Sequence, residues 1–140
     1  MNSKFLQTET RSDKVFIFDP VRKKWIVLTP EEWVRQHLLK YMVENMNYPI
    51  SLISVEKQIR IGDRKRRYDI VVYQNDQPWL IIECKQENES ISYQSLSQVL
   101  AYVSQLPVSF FCISNGKEIY TYQLDNHQWI QRLPDYPMVS

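Results

Sequence analysis

The chain has 140 residues, of which 44% are hydrophobic and 13% aromatic, so it is predicted to fold as a single domain spanning residues 1–140. A formal net charge of only +1 argues against a protein that is basic over its whole surface. Gly62 and Gly116 are the only glycines. The glycine-rich loops that bind ATP or dinucleotides are therefore excluded, and no nucleotide cofactor is expected.

The sequence also carries information about the cellular compartment. No stretch approaches the roughly 18 apolar residues of a membrane helix, and the N-terminus lacks the uninterrupted apolar segment of a signal peptide. Cys84 and Cys112 both lie in apolar, strand-like runs, which is typical of buried free thiols in a reducing compartment. We therefore expect a cytoplasmic protein without membrane contact.

The N-terminal third is predicted to contain a hairpin followed by a helix. Residues 1–12 are expected to be frayed, and the apolar runs at 15–18 and 25–28 are expected to pair as strands. The helix should cover residues 30–45, with Thr29 as its N-cap and a proline in its first turn.

Glu32 stands at the N3 position of this helix and allows two interpretations. In a capping box with Thr29, its carboxylate reaches back to the N-cap N–H group. The alternative is an ion pair with Arg35, which lies three residues further along the same helix face.

A strand-like segment at 53–61 leads into a concentration of positive charge. Residues 1–85 carry 15 of the 17 basic residues against 11 acids, whereas residues 86–140 carry 2 against 5. Five basic residues crowd into one short segment: Arg60, Arg64, Lys65, Arg66 and Arg67. We interpret the segment as a phosphate-binding turn, because such contacts supply most sequence-independent affinity for DNA. The alternative is a solvated turn that only confers solubility.

The next two apolar runs, at 70–73 and 78–82, predict a β-hairpin. Their symmetric spacing about the turn places Asp69 directly opposite Glu83, and cross-strand partners share a face of the sheet. Lys85 lies two residues beyond Glu83 and shares that face, because side chains along a strand alternate with a period of 2. The sequence therefore predicts two carboxylates and an ammonium group at one edge of the sheet.

This set of groups can hold Mg²⁺ or Mn²⁺, because Asp69 and Glu83 supply hard oxygen ligands. The cation would stabilise charge on a scissile phosphodiester and activate water, and Lys85 would orient that water or compensate the phosphate's charge. The Cys84 side chain points to the opposite face, so only its backbone carbonyl could reach the ion. The alternative is a cross-strand salt-bridge cluster, in which the two opposed carboxylates would repel each other.

A helical pattern follows at about residues 92–105. Gln98 and Tyr102 are four residues apart and share one helix face, away from the apolar stripe that packs into the core. Taken by themselves, they would be an ordinary solvated flank. Strand-like runs at 108–113 and 118–124 then flank an Asn-Gly pair, which is typical of a hairpin turn.

Asp69, Glu83-x-Lys85 and Gln98-x-x-x-Tyr102 together resemble the PD-(D/E)XK nuclease superfamily, in its branch with a Gln-x-x-x-Tyr helix. The chain is also similar to the N-terminal nuclease domain of type I restriction enzyme R subunits. The resemblance implies a restriction-endonuclease-like core of the α/β (α+β) class, in which a mixed central sheet is flanked by helices.

The same resemblance implies metal-dependent cleavage of DNA. Asp69 and Glu83 would be the metal ligands and Lys85 the catalytic lysine. Gln98 and Tyr102 would organise the site and the nucleic-acid backbone.

Such nucleases often add a glutamate from the first helix, which makes Glu32 a better candidate ligand than Glu31 and leaves Glu56 weaker still. Three functions stay open at this point. The domain could be a magnesium-dependent DNA endonuclease, or a DNA-binding module that keeps the fold without cutting. It could also be a nuclease subunit active only within a larger restriction or repair assembly, as a homodimer or with other restriction-system subunits.

Overall fold

The structure is a computed structural model that describes residues 3–137. Within these residues the chain forms, in order, β1 (Thr8–Arg11), β2 (Lys14–Asp19), β3 (Lys24–Val27), α1 (Pro30–Lys40), β4 (Ile53–Ile61), β5 (Arg64–Gln74), β6 (Gln77–Cys84), α2 (Tyr93–Val103), β7 (Phe110–Ser114), β8 (Ile119–Gln123) and β9 (Gln128–Ile130). A π-helical turn (Tyr41–Asn45) continues α1, and a 3-10 turn (Ile50–Leu52) leads into β4.

The central sheet has six strands in the order β4-β5-β6-β7-β8-β9. All neighbours are antiparallel except β6 and β7, which are parallel and are joined through α2. A parallel connection needs such a crossover because the chain must return to the same end of the sheet. The predicted α/β (α+β) class, with a mixed central sheet flanked by helices, is confirmed.

The sheet separates two apolar core layers. Val34, Leu38 and Leu39 of α1 pack on one face, together with Ile70 and other strand residues. On the other face, the buried side of α2 packs against strand residues that point the opposite way, among them Val99, Val103, Val71, Ile81 and Phe111. We call these the α1 face and the α2 face.

The hairpin of β5 and β6 has the predicted register from Ile70 to Val72 but not beside the turn, where Gln74 pairs with Gln77. Asn75 and Asp76 form its two-residue turn with φ angles of 51° and 63°, and two positive φ values are the requirement of the turn type that matches strand twist. A register shift between Tyr73 and Val72 then gives the predicted partners, and Ile70 pairs with Ile82. The predicted pairing next to Asp69 and Glu83 thus depends on this irregularity and not on symmetric spacing about the turn.

The N-terminal residues form a second sheet of three strands, in the order β1-β2-β3. The prediction that residues 1–12 are frayed is wrong for residues 3–12, because β1 pairs with β2 and Phe5 is buried in the α1-face core. Residues 1–2 lie outside the described part. The Thr29 N-cap is confirmed, since its side chain accepts a hydrogen bond from the Glu32 N–H. No helix within residues 3–137 is long and apolar enough to cross a membrane.

Candidate functional site

Five of the predicted site residues line one cleft of about 350 Å³ on the α2 face: Glu83, Lys85, Gln98 and Tyr102 of the predicted catalytic set, and Arg66 of the basic segment. Glu83 and Lys85 enter it from the end of β6, and Gln98 and Tyr102 enter it from α2. The Lys85 N–H group donates to the Ser114 carbonyl at 2.8 Å, which holds the residue beside β7. The face that Gln98 and Tyr102 share therefore forms one wall of a cleft, with Gln98 exposed and Tyr102 half-buried.

Glu83 is largely buried, with 13% of its side chain exposed. Its Oε1 atom accepts hydrogen bonds from Arg66 Nη2 and, at 3.2 Å, from the Tyr102 hydroxyl. Burial and the Glu83 carboxylate raise the pKa of Tyr102 to about 12. The Tyr102 hydroxyl is thus a neutral hydrogen-bond donor to Glu83 at physiological pH.

Asp69 does not line this cleft. Its Oδ2 atom accepts a hydrogen bond from the Cys84 N–H at 2.7 Å, and its Oδ1 atom lies 3.8 Å from Arg35 Nη1. The Asp69–Cys84 bond ties Asp69 to the end of β6 just past the last backbone pair, Ile70 and Ile82. Asp69 and Glu83 are thus adjacent in the hairpin, but their carboxylates have different partners.

A local irregularity in the strands explains this difference. Glu56 of β4 stands opposite Asp69 with a φ of 54° and drops out of the backbone pairing. The two-residue alternation of β5 breaks here, because Tyr68 packs on the α2 face whereas Ile70 packs on the α1 face. The prediction that Asp69 shares a face with Glu83 and Lys85 rested on unbroken alternation, and the structure corrects it.

Glu32 belongs to a buried ionic network. Its carboxylate accepts two hydrogen bonds from Arg35, at 3.0 and 3.2 Å, one from Arg22 Nη2 at 2.8 Å and one from Gln36 Nε2 at 3.0 Å. The Glu32 carboxylate is thus bonded to these three side chains and not to the Thr29 N–H group, as the capping box required. The alternative, an ion pair with Arg35, is confirmed. Glu56 adds a further carboxylate 3.5 Å from Arg35.

The donor atoms near the hairpin can be compared with what a divalent cation needs. Within residues 3–137 no three His, Cys, Asp or Glu side chains are grouped so that they could hold a metal ion. Burial raises the pKa of the Cys84 thiol well above its usual value, so that side chain stays neutral. Asp69, Glu83 and the Cys84 carbonyl remain as oxygen donors of the kind that Mg²⁺ uses, but the Asp69 and Glu83 carboxylates contact different arginines.

The prediction that the five basic residues form a turn is wrong, because they lie on a two-stranded ribbon. Only Ile70–Gln74 of β5 pairs with β6, so the part from Lys57 to Tyr68 extends past β6 as a β4–β5 ribbon. The register divides the charges between its faces. Arg64 and Arg66 lie opposite the apolar residues Ile61 and Ile59 and face α2, whereas three basic residues point outward: Arg60, Lys65 and Arg67.

Sequence reasoning missed several residues around the site. Asp19 is fully buried and binds Arg22 Nε at 2.5 Å, which joins the N-terminal sheet to Glu32. No periodicity links these positions, because they meet only through tertiary packing. Glu89, in the loop after β6, also lines the cleft. The only sequence feature that could have indicated Glu89 is its position shortly after Lys85.

Two solved structures are similar to this chain. A fragment assigned as an HsdR subunit of a type I restriction enzyme from Vibrio vulnificus YJ016 superposes with a TM-score of 0.55 at 20% identity, covering 76% of this chain and 24% of the fragment. A protein from Anabaena variabilis assigned as a nuclease of the DUF820 group superposes with a TM-score of 0.49 at 11% identity, covering 93% of this chain and 77% of the other. The chain spans about a quarter of the Vibrio fragment.

Sequence comparison gives the family. No functionally curated protein shows significant similarity to the chain. Residues 30–137, which include both helices and the whole six-stranded sheet, match the sequence profile described as the type I restriction enzyme R protein N terminus. The chain therefore belongs to the family of the type I restriction enzyme R protein N terminus.

Proposed function

We propose that this domain is a metal-dependent DNA endonuclease that hydrolyses phosphodiester bonds in the cytoplasm. The observation that carries the proposal is the convergence of an acid, an ammonium group, an amide and a phenol on one cleft: Glu83, Lys85, Gln98 and Tyr102. Membership of a restriction-enzyme family supports the same reading.

The proposed cofactor is Mg²⁺ or Mn²⁺, held by Asp69, Glu83 and the Cys84 backbone carbonyl. When bound, the ion supplies Lewis-acid stabilisation of charge at the phosphate. Glu32 is a further candidate ligand, although its carboxylate is occupied by Arg22 and Arg35. A metal held by Asp69 and Glu83 must compete with the arginine that each carboxylate now contacts.

The proposed catalytic work of the chain itself falls to Lys85, Gln98 and Tyr102. Within residues 3–137 Lys85 forms no ion pair, so its ammonium group is available to a phosphate or to the attacking water. Tyr102 fixes the orientation of Glu83 through its hydroxyl. Gln98 can donate to the nucleic-acid backbone from its side amide.

A second candidate function is a nuclease subunit that is active only within a larger assembly. The length comparison favours it, because the chain corresponds to 24% of the Vibrio fragment. Other restriction-system subunits or a second copy of this chain would then complete the active unit. In this case DNA binding by the isolated domain is expected, but cleavage is expected only with the partner.

The test of the proposed function is DNA cleavage by the purified protein with Mg²⁺, Mn²⁺ or EDTA. Lys85→Ala should lower the cleavage rate about 100-fold or more, the usual scale for one preorganised electrostatic donor. The Kd for DNA should change less than about threefold, because interactions made in the transition state contribute little to ground-state binding. Lys14→Ala, which removes an exposed lysine of β2, is the matched control.

The same experiment can also contradict the enzyme proposal. If the wild-type protein binds DNA but cuts no substrate with any metal, and Lys85→Ala behaves identically, the enzyme proposal is wrong for the isolated domain. Cleavage that returns only on addition of a partner would support the assembly. No cleavage under any condition would support a DNA-binding module.

The ribbon carries the proposed DNA contacts, and its two faces allow them to be separated. Replacing the three outward residues by Gln (Arg60, Lys65 and Arg67) should weaken binding for all sequences alike. The slope of log Kd against log salt should fall by about 2.7, since each phosphate contact contributes about 0.9. Binding assays in EDTA measure both quantities.

A control with the same change in charge replaces three exposed lysines elsewhere by Gln (Lys4, Lys14 and Lys117). An equal loss of affinity in this control would mean that net charge, and not the ribbon, is responsible. An unchanged affinity of the ribbon variant at low salt would assign the outward residues to solvation.

A further inference from the structure

The Arg66 side chain lines the cleft beside Glu83 and forms an ion pair with its carboxylate. Its Nη2 atom donates to Glu83 Oε1 and lies 3.5 Å from the Tyr102 hydroxyl. The guanidinium carbon lies 4.6 Å from the centre of the Tyr102 ring and 5.4 Å from that of Tyr68. Cation–π contacts of this length add to the ion pair. Arg66 is therefore held by three side chains: Glu83, Tyr102 and Tyr68.

The pair is unequal in its access to solvent. The Glu83 side chain is 13% exposed, whereas the Arg66 side chain is 48% exposed. The Glu83 side chain lines the cleft, but its Oε1 atom is paired with the Arg66 guanidinium, which a ligand in solution can reach without first opening the structure. A cation that coordinates Glu83 must lie within about 2.0–2.6 Å of its oxygens, so it would be close to the positive charge of Arg66 and be repelled by it.

A second cavity, of about 540 Å³, adjoins the cleft on the far side of Arg66 and Tyr102. Both residues line the two cavities, and Arg64 lines the second. The side chain of Arg66 could therefore move from Glu83 into this second cavity while its backbone stays in β5. Two guanidinium groups would then face the same space, and guanidinium groups bind phosphate with paired hydrogen bonds.

We propose that Arg66 is a gate that makes metal binding at Glu83 depend on bound nucleic acid. Without DNA, Arg66 neutralises Glu83 and keeps a divalent cation out. A DNA phosphate in the second cavity draws the guanidinium away and frees the carboxylate. The inference rests on the proposed function, because it requires Glu83 to be a metal ligand.

The gate predicts a specific coupling between two ligands. If DNA raises the affinity for the metal, the metal must raise the affinity for DNA by the same factor. The expected factor is about fivefold, which corresponds to the roughly 1 kcal/mol upper range of a solvent-accessible ion pair. In Arg66→Ala this coupling should disappear, because the carboxylate is already free.

The experiment is calorimetric titration of Mg²⁺ and of Mn²⁺ into the protein, without DNA and with a saturating, nuclease-resistant phosphorothioate duplex. Without DNA, Arg66→Ala should bind the metal about fivefold more tightly than wild type. Arg66→Lys keeps the charge, and its affinity should stay near that of wild type. Lys57→Ala, which removes an exposed charge from the same ribbon, should leave metal affinity unchanged. Circular dichroism and thermal unfolding establish that each variant is folded.

The outcomes separate the gate from the proposed function. Equal metal affinity in wild type and Arg66→Ala, with no effect of DNA, overturns the gate and leaves the metal site intact. Weaker metal binding in folded Arg66→Ala also overturns it, and shows that Arg66 positions Glu83 for the metal. If no variant binds metal with or without DNA, the metal site itself is wrong and both proposals fail.

Discussion

The two carboxylates proposed to share a metal ion lie in opposite environments. Asp69 contacts Arg35, whose side chain is 7% exposed and which belongs to helix α1. Glu83 contacts Arg66, whose side chain is 48% exposed and which belongs to the ribbon that extends past the sheet. The comparison teaches that one half of the site is fixed by the fold, whereas the other half can change its partner.

The Asp69 side is part of the ionic network that joins the N-terminal sheet to α1. Asp19 and Arg22 come from the end of β2 and the turn after it, and Arg22 continues to Glu32 at 2.8 Å. Arg35 then extends the network to the Asp69 backbone carbonyl at 3.4 Å. Buried charges are tolerated only when each is paired. The network therefore has a structural role that would remain even without catalysis.

The largest expected effect of a single change in this comparison is that of Arg35→Ala. It leaves the Glu32 carboxylate buried with only Arg22 and Gln36 as partners, and it leaves Asp69 without a cation. Removing one partner of a buried pair costs about 3–5 kcal/mol. We expect about 3 kcal/mol here, because Arg22 still neutralises Glu32. Urea unfolding, followed by circular dichroism, measures this loss.

Arg66→Ala is the matched test on the other side of the hairpin. Its ion pair is half exposed, so the free energy of unfolding should fall by no more than about 1 kcal/mol. If both variants lose the same stability, the distinction between a fixed half and a changeable half is wrong. If Arg35→Ala costs less than Arg66→Ala, the network is not what holds Asp69.

The sequence predicted most of the fold because its signals are local. Apolar runs and their spacing gave the β5–β6 hairpin and the partners of Ile70–Val72, although not the pairs beside the turn, and the N-cap at Thr29 marked the start of α1. The same local logic placed Glu83 and Lys85 on one face. The prediction failed at Asp69, because the alternation of β5 breaks where Glu56 of the neighbouring strand has an irregular φ. No local sequence pattern indicates this irregularity.

The partners of the charged residues were even less predictable. Arg22 and Glu32 are joined only because the N-terminal sheet packs beside α1. Arg66 was assigned to phosphate binding from its basic neighbours, and its contact with Glu83 depends on how far the ribbon extends beyond β6. The residue types were visible in the sequence. Their pairing required the tertiary structure, since ion pairs have no sequence period.

The smallest expected effect is that of Tyr102→Phe, which sharpens the description of the Glu83 side. The change removes the hydroxyl that donates to Glu83 but keeps the ring beneath Arg66. A hydrogen bond of this kind contributes about 0.5–1.5 kcal/mol, so cleavage should fall about 2- to 10-fold while the Kd for DNA stays unchanged. A loss as large as that of Lys85→Ala would show that the hydroxyl acts on the phosphate and not on Glu83.

The role of the Tyr102 hydroxyl can also be measured from the pH dependence of the free energy of unfolding in wild type and Tyr102→Phe. The pKa of Tyr102 is raised to about 12 in the folded protein by burial and by Glu83, whereas an unfolded tyrosine has a pKa of about 10. The folded state therefore holds its proton more tightly, and the stability that the hydroxyl contributes is complete below about pH 10 and is lost as pH rises towards 12. Urea unfolding should show a constant difference between wild type and Tyr102→Phe from about pH 7 to 9, and a shrinking difference above about pH 10. A difference that stays constant from pH 10 to 12 would mean that the folded protein does not raise the pKa of Tyr102, and would contradict its role as a buried donor to Glu83.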